Sequence, residues 1–369
     1  MKAIIGLAGA IAAIGGVSLA AAQAQTPMAS FEPDGTVRVP AFDLPPSPFV
    51  SKEALELQKS FAAKLAPTTT PVAPPSNISG IALIRRGAEA VFAPRAEALM
   101  KRYPATVIEQ RMAGVRTRVI TPKGVKVDPS RVLINVHGGA FNSCSEACGL
   151  MESLPIASLT GFKVVTIDYR MAPEFVFPAA SEDVAAVYRE LLKTYKPASI
   201  GMYGCSAGGS LSAQTAAWLP AHGLPQLGAI GIFGAGAVRF GAGDSVHIAG
   251  LVDGLWRMPR PASAPAAATP QPAPIRSYFE GANMEDPMVS PALHPAVIAK
   301  FPPTLLVTGT RAMDMSPAVV THSRLLDAGV ASQLIVGEGM GHCYIYESEL
   351  PEAQSAYHVI ANFFRTHLK

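Results

Sequence analysis

From about residue 115 to the C-terminus, short apolar runs alternate with amphipathic stretches, and few architectures accept that order. Val132–Val136, Lys163–Ile167, Ser199–Tyr203, Gly228–Phe233, Thr304–Thr308 and Gln333–Val336 have the length and content of buried strands. Val115–Ile120 suits an edge strand. Between them, Ser181–Tyr195, Leu211–Leu219 and Pro317–Ala328 carry helical periodicity, and Glu352–Leu368 closes the chain as a helix. Strands that are apolar throughout, joined by helices, predict an α/β fold with a mostly parallel sheet covered on both faces.

One junction in this series carries chemistry. Gly204-Cys205-Ser206-Ala207-Gly208 lies between a predicted strand and a predicted helix and matches G-x-S-x-G. A sharp turn there exposes the Ser206 hydroxyl, and the helix N-terminus favours negative charge beside it. A tight glycine-rich turn without chemistry is the alternative reading, and the surroundings weigh against it. His137-Gly138-Gly139-Ala140-Phe141 follows the strand Val132–Val136 directly. The backbone N–H groups of Gly138, Gly139 and Ala207 form a candidate oxyanion hole. His137 reads as a structural hydrogen-bonding residue.

A serine nucleophile needs a base and an orienting acid, which in this arrangement follow it in the chain. His342 closes the glycine-rich loop after Gln333–Val336 and is the candidate base. The acid belongs on the loop after Thr304–Thr308, where the carboxylate is Asp314. Asp327 lies well inside a helix, and Asp286 sits on an earlier loop.

The N-terminal third reads differently. Met1-Lys2, an uncharged apolar stretch from Ala3 to Ala20, and Ala22-Gln23-Ala24 form a signal-peptide pattern. Cleavage after Ala24 predicts a mature chain starting near Gln25, exported to the periplasm or the medium and without a stable membrane anchor. The competing reading is an uncleaved anchor. Residues 25–110 are expected to form a Pro-rich arm and a helical cap, with helices over Ser51–Leu65 and Val91–Tyr103. Residues 111–369 are expected to form the catalytic domain. Within it, 11 of the 14 residues from 261 to 274 are Pro or Ala, which predicts a surface excursion. A net charge of +3 without Lys/Arg runs gives no reason to expect a nucleic-acid partner. The four cysteines have no ligand-spaced histidine nearby, so neither metal nor organic cofactor is implied. Oligomeric state is left open.

Taken together, His137–Phe141, Asp168-Tyr169-Arg170-Met171-Ala172-Pro173-Glu174, Gly204–Gly209 and Gly341-His342 resemble the hormone-sensitive-lipase-like carboxylesterases. The resemblance covers residues 115–369. It implies the α/β-hydrolase fold, with eight mostly parallel strands and an N-terminal cap. It also implies hydrolysis of small or medium carboxylic esters, with the Asp168–Glu174 segment bracing the site. Relatives commonly read Gly-Thr-Arg-Asp where this chain reads Gly309-Thr310-Arg311-Ala312, so the acid arrives two residues late, at Asp314. A serine peptidase of the same fold, or a ligand-binding homologue weakened by Ala312, are the alternatives.

Relatives also usually place Asp before the nucleophile, where this chain has Cys205; Cys343 follows the base. The pair is similar to the Cys-Ser and His-Cys arrangement of tannases and some feruloyl esterases. That similarity implies a Cys205–Cys343 disulfide and leaves Cys144 and Cys148 as the second pair. Two buried thiols that merely pack is the other reading.

Overall fold

The computed structural model describes residues 28–64, 78–249, 252–253 and 276–369. The signal-peptide pattern and the Pro/Ala-rich segment lie outside the described residues.

The chain divides at Pro45/Pro46. Before the division, β1 (Ser30–Phe31) and β2 (Val37–Arg38) pair antiparallel. After it, two helices precede the sheet, α1 (Lys52–Lys64) and α2 (Ile78–Arg102). The second helix begins well before the expected Val91.

The eight-stranded sheet contains β3 (Ala105–Met112), β4 (Val115–Pro122), β5 (Asp128–Val136), β6 (Phe162–Ile167), β7 (Ile200–Cys205), β8 (Ala229–Phe233), β9 (Thr304–Gly309) and β10 (Ser332–Gly337). Their order is β10-β9-β8-β7-β5-β6-β4-β3. The strands from β10 to β6 run parallel, and β4 and β3 are antiparallel. The structure corrects one expectation: Val115–Ile120 is covered by β3, which forms the edge. The sheet therefore begins at Ala105, ahead of the expected boundary near residue 110. β3 escaped the sequence pattern because Glu109, Gln110 and Arg111 leave it mostly solvated.

Helices α3 (Ala147–Thr160), α4 (Ala179–Leu191), α5 (Ala207–Ala221), α8 (Met315–Asp327) and α9 (Pro351–His367) cover the sheet; α6 (Ser245–Ile248) and α7 (Pro295–Ile298) are single turns. Alternate strand residues feed two separate cores. Val132, Ile134, Val136, Met202, Ile230 and Leu306 pack with α4, α5 and α8. Leu133, Val164, Tyr203, Phe233, Leu305 and Val307 pack with α3 and α9. Successive side chains of a strand point to opposite faces, so a central strand here is apolar on both faces, broken by few polar side chains such as Asn135 and Thr166, which pair with each other. That explains why these runs were legible without alternation.

The cap helix α2 is tied to the loops at the C-terminal edge of the sheet. Arg85 donates to the carbonyls of Asn142 and Ala172 and pairs with Glu174. Glu89 accepts the N–H groups of Glu146 and Ala147. A carboxylate at that position satisfies amides that the first turn of α3 leaves without intrahelical acceptors.

Candidate active site

Ser206 stands between β7 and α5 with φ 59° and ψ −121°. A non-glycine residue rarely holds positive φ, and strain of this kind persists only when the surroundings over-determine it. Here they do. The Ser206 N–H donates to the Phe233 carbonyl at 2.8 Å. Cβ atoms on Gly204 and Gly208 would stand 1.9 and 1.8 Å from the Val136 carbonyl oxygen. The two glycines of G-x-S-x-G are therefore demanded by the end of β5, against which the turn is pressed.

The base loop is fastened to the acid loop before either side chain is considered. Thr310 N–H donates to Gly337 O, Arg311 N–H to Met340 O, and Gly339 N–H to the Thr310 hydroxyl. The bond from Ala312 N–H to Gly309 O closes a turn in which Ala312 is buried, and Asp314 then caps the start of α8. Asp314 Oδ1 then lies 2.5 Å from His342 Nδ1, and Oδ2 accepts from the Thr308 hydroxyl at 2.6 Å. On the other side of the ring, His342 Nε2 is 2.9 Å from Ser206 Oγ. The network assigns the ring proton to Nδ1, facing the carboxylate, and the acceptor to Nε2, facing the serine. Asp327 is exposed at the far end of α8 and pairs with Arg324.

Both cysteine pairs are disulfides. Cys205–Cys343 links the residue before Ser206 to the residue after His342, with Cα atoms 6.2 Å apart. Cys144–Cys148 closes the loop that follows Phe141. Gly234 lies under the first bridge, where a Cβ would approach Cys343 Sγ to 2.6 Å.

The oxyanion loop requires a correction. The Gly138 N–H donates to Glu152 Oε1 at 2.9 Å, so it is not free for a substrate oxygen. Gly139 and Ala207 remain from the expected three. Ala140, the next residue of this turn, has φ 53° and lines the cavity beside Ser206. His137 is fully buried, stacked on Tyr169, with Nδ1 2.6 Å from the Gly138 carbonyl. Burial lowers its pKa, which keeps the ring neutral and structural. Tyr169 in turn donates to the His137 carbonyl, a direct case of the Asp168–Glu174 segment bracing the site.

Three participants carried no recognised sequence signal. Glu152 is completely buried beneath the oxyanion loop and meets four donors: Gly138 N–H, Tyr346 O–H, Asn135 Nδ2 and Cys205 N–H. Desolvation pushes its pKa up to about 7, against those hydrogen bonds, which favour the carboxylate. Glu152 is the one charged residue of helix α3, and that was the available clue. Asp253, also buried, accepts the His342 backbone N–H at 2.7 Å. Phe240 sets its ring edge-on to His342 at 5.5 Å.

Ser206 and His342 open into a cavity of about 420 Å³. Its walls are mainly apolar and aromatic, with Phe141 stacked on Tyr278 and Phe279 edge-on to both. A volume of this size holds a small ligand.

The chain shares 36% identity over 113 residues with the versiconal hemiacetal acetate esterase of Emericella nidulans, a match covering 31% of this chain and 39% of that one. The chain thus spans well under half of that curated relative. A crystal structure of esterase E25 superposes with a TM-score of 0.75 at 28% identity, over 90% of this chain and 99% of that one. An esterase from the bacterial hormone-sensitive lipase family shares the fold with a TM-score of 0.67 at 24% identity, over 86% and 99%. The family model described as alpha/beta hydrolase fold matches residues 133–346. That match begins inside β5 and ends just past His342, so it takes in the oxyanion loop, the nucleophile, the acid and the base, and on it the chain belongs to the alpha/beta-hydrolase fold family, beside the hormone-sensitive-lipase-like esterases that its motifs resemble.

Proposed function

We propose that this protein is a serine carboxylesterase that hydrolyses small to medium carboxylic esters through an acyl-enzyme. The observation that carries this reading is the continuous chain Asp314–His342–Ser206, at 2.5 and 2.9 Å, opening into an apolar cavity.

Ser206 Oγ attacks the ester carbonyl carbon while His342 Nε2 takes its proton. Asp314 holds the Nδ1 proton and stabilises the imidazolium that forms. Negative charge grows on the carbonyl oxygen, which the N–H groups of Gly139, Ala140 and Ala207 receive. Preorganised donors of this kind are worth roughly 10²–10³ in rate for each one removed. The tetrahedral species collapses, the C–O bond breaks, and the alcohol leaves with the proton from His342. Water then attacks the acyl carbon, giving its proton to His342, and the acid is released as Ser206 recovers its proton. Asp314 occupies the acid position that Ala312 leaves empty, which supports an active enzyme over a weakened binding homologue.

Export to the periplasm or medium, with cleavage after Ala24, belongs to the same reading. The residue pattern of the first 24 positions supports it, as do two disulfides, which persist in oxidising compartments. N-terminal sequencing of material recovered outside the cytoplasm is expected to begin near Gln25; a retained Met1 in a membrane fraction overturns it.

The test of the reaction is Ser206→Ala. Hydrolysis of a p-nitrophenyl ester and labelling by an organophosphate are both expected to vanish, with an unchanged circular dichroism spectrum. Near-normal turnover by the variant overturns the assignment.

A further inference from the structure

We propose that Arg239 directs this enzyme to esters that carry an ionised carboxylate at the outer end of their acyl or alcohol arm. The proposal rests on the esterase reading of the cavity and names its substrate class.

Arg239 lies on the connection that leaves β8, between Val238 and Phe240, and all three residues line the cavity. Phe240 is the residue whose ring meets His342 edge-on at 5.5 Å, so Arg239 is one residue away from a direct contact with the base. Its side chain is exposed. Among the described residues, no hydrogen bond, ion pair or ring contact holds its guanidinium. The arginines that brace the frame behave otherwise: Arg85, Arg118 and Arg170 are each bound to carboxylates. A long side chain with no partner in the protein is free to swing across the mouth of the cavity, whichever rotamer it holds at rest.

The charges around it all favour an anion there. The described lining holds no Asp, Glu or Lys; besides Arg239 and His342 it is apolar, aromatic or neutral. Carboxylates on the same connection are engaged elsewhere: Glu280 pairs with Arg276, and Asp286 accepts the Met288 N–H. Asp314 stands behind the imidazole, with its oxygens taken by His342 and Thr308. The 15-residue helix α5 begins directly after Ser206 and turns its positive end toward the floor. Arg239 at the rim and α5 at the floor thus act with the same sign, and apolar walls focus such a field.

A carboxylate placed among apolar walls costs free energy unless it is paired. A guanidinium supplies that partner through two parallel N–H bonds. At the exposed rim both ions also keep part of their hydration. The fitting substrate therefore lies with its ester at Ser206, its apolar arm along the aromatic wall and its acid at the mouth. Two chemical classes have that form: half-esters of dicarboxylic acids, and acylated hydroxy acids.

Two sets of matched esters separate these classes. On the acyl side, the mono-p-nitrophenyl esters of adipic and suberic acid are compared with p-nitrophenyl hexanoate and octanoate. On the alcohol side, 6-acetoxyhexanoate and 8-acetoxyoctanoate are compared with hexyl and octyl acetate. The reading is the ratio of kcat/KM, carboxylated over plain, for the mature enzyme. In one set, that ratio is expected to fall about tenfold in Arg239→Gln, the scale of one charge-assisted hydrogen bond at a hydrated site. Most of the fall is expected in KM. Arg239→Lys is expected to lie between wild type and Gln, and Arg239→Glu below Gln, an order that a purely structural effect would not follow. Raising the salt from about 0.02 M to about 0.5 M is expected to lower the wild-type ratio and leave that of the Gln variant level. Ratios that are the same across Arg, Lys, Gln and Glu in both sets overturn the proposal and leave Arg239 a solvated surface cation. Failure of the wild type to hydrolyse any of these esters overturns the esterase reading itself.

Discussion

The cavity has two walls of different construction. The wall with Ser206, Asp314 and His342 is made from strand ends and the turns that follow β7, β9 and β10, and each reactive side chain is held at several points. Ser206 is fixed by the Phe233 carbonyl and by two glycines against Val136; His342 by Asp314 and the adjoining disulfide, with Asp253 reaching its backbone N–H from the connection between β8 and β9. The facing wall comes from the 70 residues between β8 and β9, where the described regular structure amounts to α6, α7 and the turn Pro291–Leu293. There the grip on the cavity side is aromatic packing, Tyr278 on Phe141 and Phe279 against both, with hydrogen bonds from Ala180 N–H to the Tyr278 hydroxyl and from Phe177 N–H to the Tyr278 carbonyl. The reaction depends on tenths of an ångström and sits on the sheet. Substrate choice tolerates looser tolerances and sits on connections, as expected where function is carried by loops on a rigid frame.

Breaking the first wall at its acid gives the largest effect. Asp314→Asn keeps the shape but loses the charge that holds the His342 tautomer. A fall of about 10⁴ in kcat is expected, the size of the corresponding loss in a serine protease triad. Asp327→Asn, on the exposed end of the same helix, is expected to leave kcat within twofold. Stopped-flow or steady-state ester hydrolysis reads both, and an exchange of the two outcomes places the acid elsewhere.

The disulfides come next and differ between themselves. Cys205–Cys343 spans 138 residues and Cys144–Cys148 spans four. Loop-closure entropy then assigns about 5 kcal/mol to the first and about 2 kcal/mol to the second. Paired Cys→Ser variants at each bridge, followed by chemical denaturation, are expected to preserve that order. Only the first variant is expected to lose activity out of proportion to stability, because only that bridge spans nucleophile and base. Equal losses contradict the distinction.

Glu152 supports the catalytic wall from below. Glu152→Gln replaces an acceptor of four donors with a group that carries two N–H bonds of its own. A loss of roughly 2–3 kcal/mol of stability is expected, with a fall in kcat as the oxyanion loop relaxes. The group also leaves a mark on pH. The folded chain retains the Glu152 proton up to about pH 7, whereas the unfolded chain releases it near the ordinary value of 4.5. The native state therefore binds more protons between those limits, and this group's contribution to stability falls as pH rises from about 4.5 to about 7, then stays level. The variant is expected to lack that slope. A wild type and variant with parallel pH–stability curves leave Glu152 untitrated in this range.

The smallest effect is expected on the facing wall. Phe279→Ala removes a half-buried ring from the aromatic cluster. A change of about tenfold in preference between acetyl and hexanoyl esters is expected, the scale on which apolar pockets discriminate, with kcat on the preferred ester within a few-fold. A collapse of kcat instead would mean that the two walls are not mechanically separate.

Sequence alone determined the parts of this protein whose cause is local. The central strands are apolar on both faces, with few exceptions, because both faces are covered. Gly204 and Gly208 mark the elbow because no side chain fits against Val136. His342 and Asp314 follow from chain order and from the loops on which they stand. Tertiary structure decided what depends on partners distant in the chain. The edge strand β3 is recognisable only through its pairing with β4, since its own face is wet. The Gly138 N–H was withdrawn from the oxyanion hole by Glu152, a carboxylate fourteen residues later whose burial depends on α3, β5 and Tyr346 together. That Asp314 reaches the imidazole from two residues beyond the position its relatives use was decided by the fold, through a turn closed by Ala312 N–H on Gly309 O. A hydrogen bond or a cavity wall is a relation between segments that the fold brings together. A residue's neighbours in sequence constrain its backbone, and its neighbours in space decide what its polar atoms are free to do.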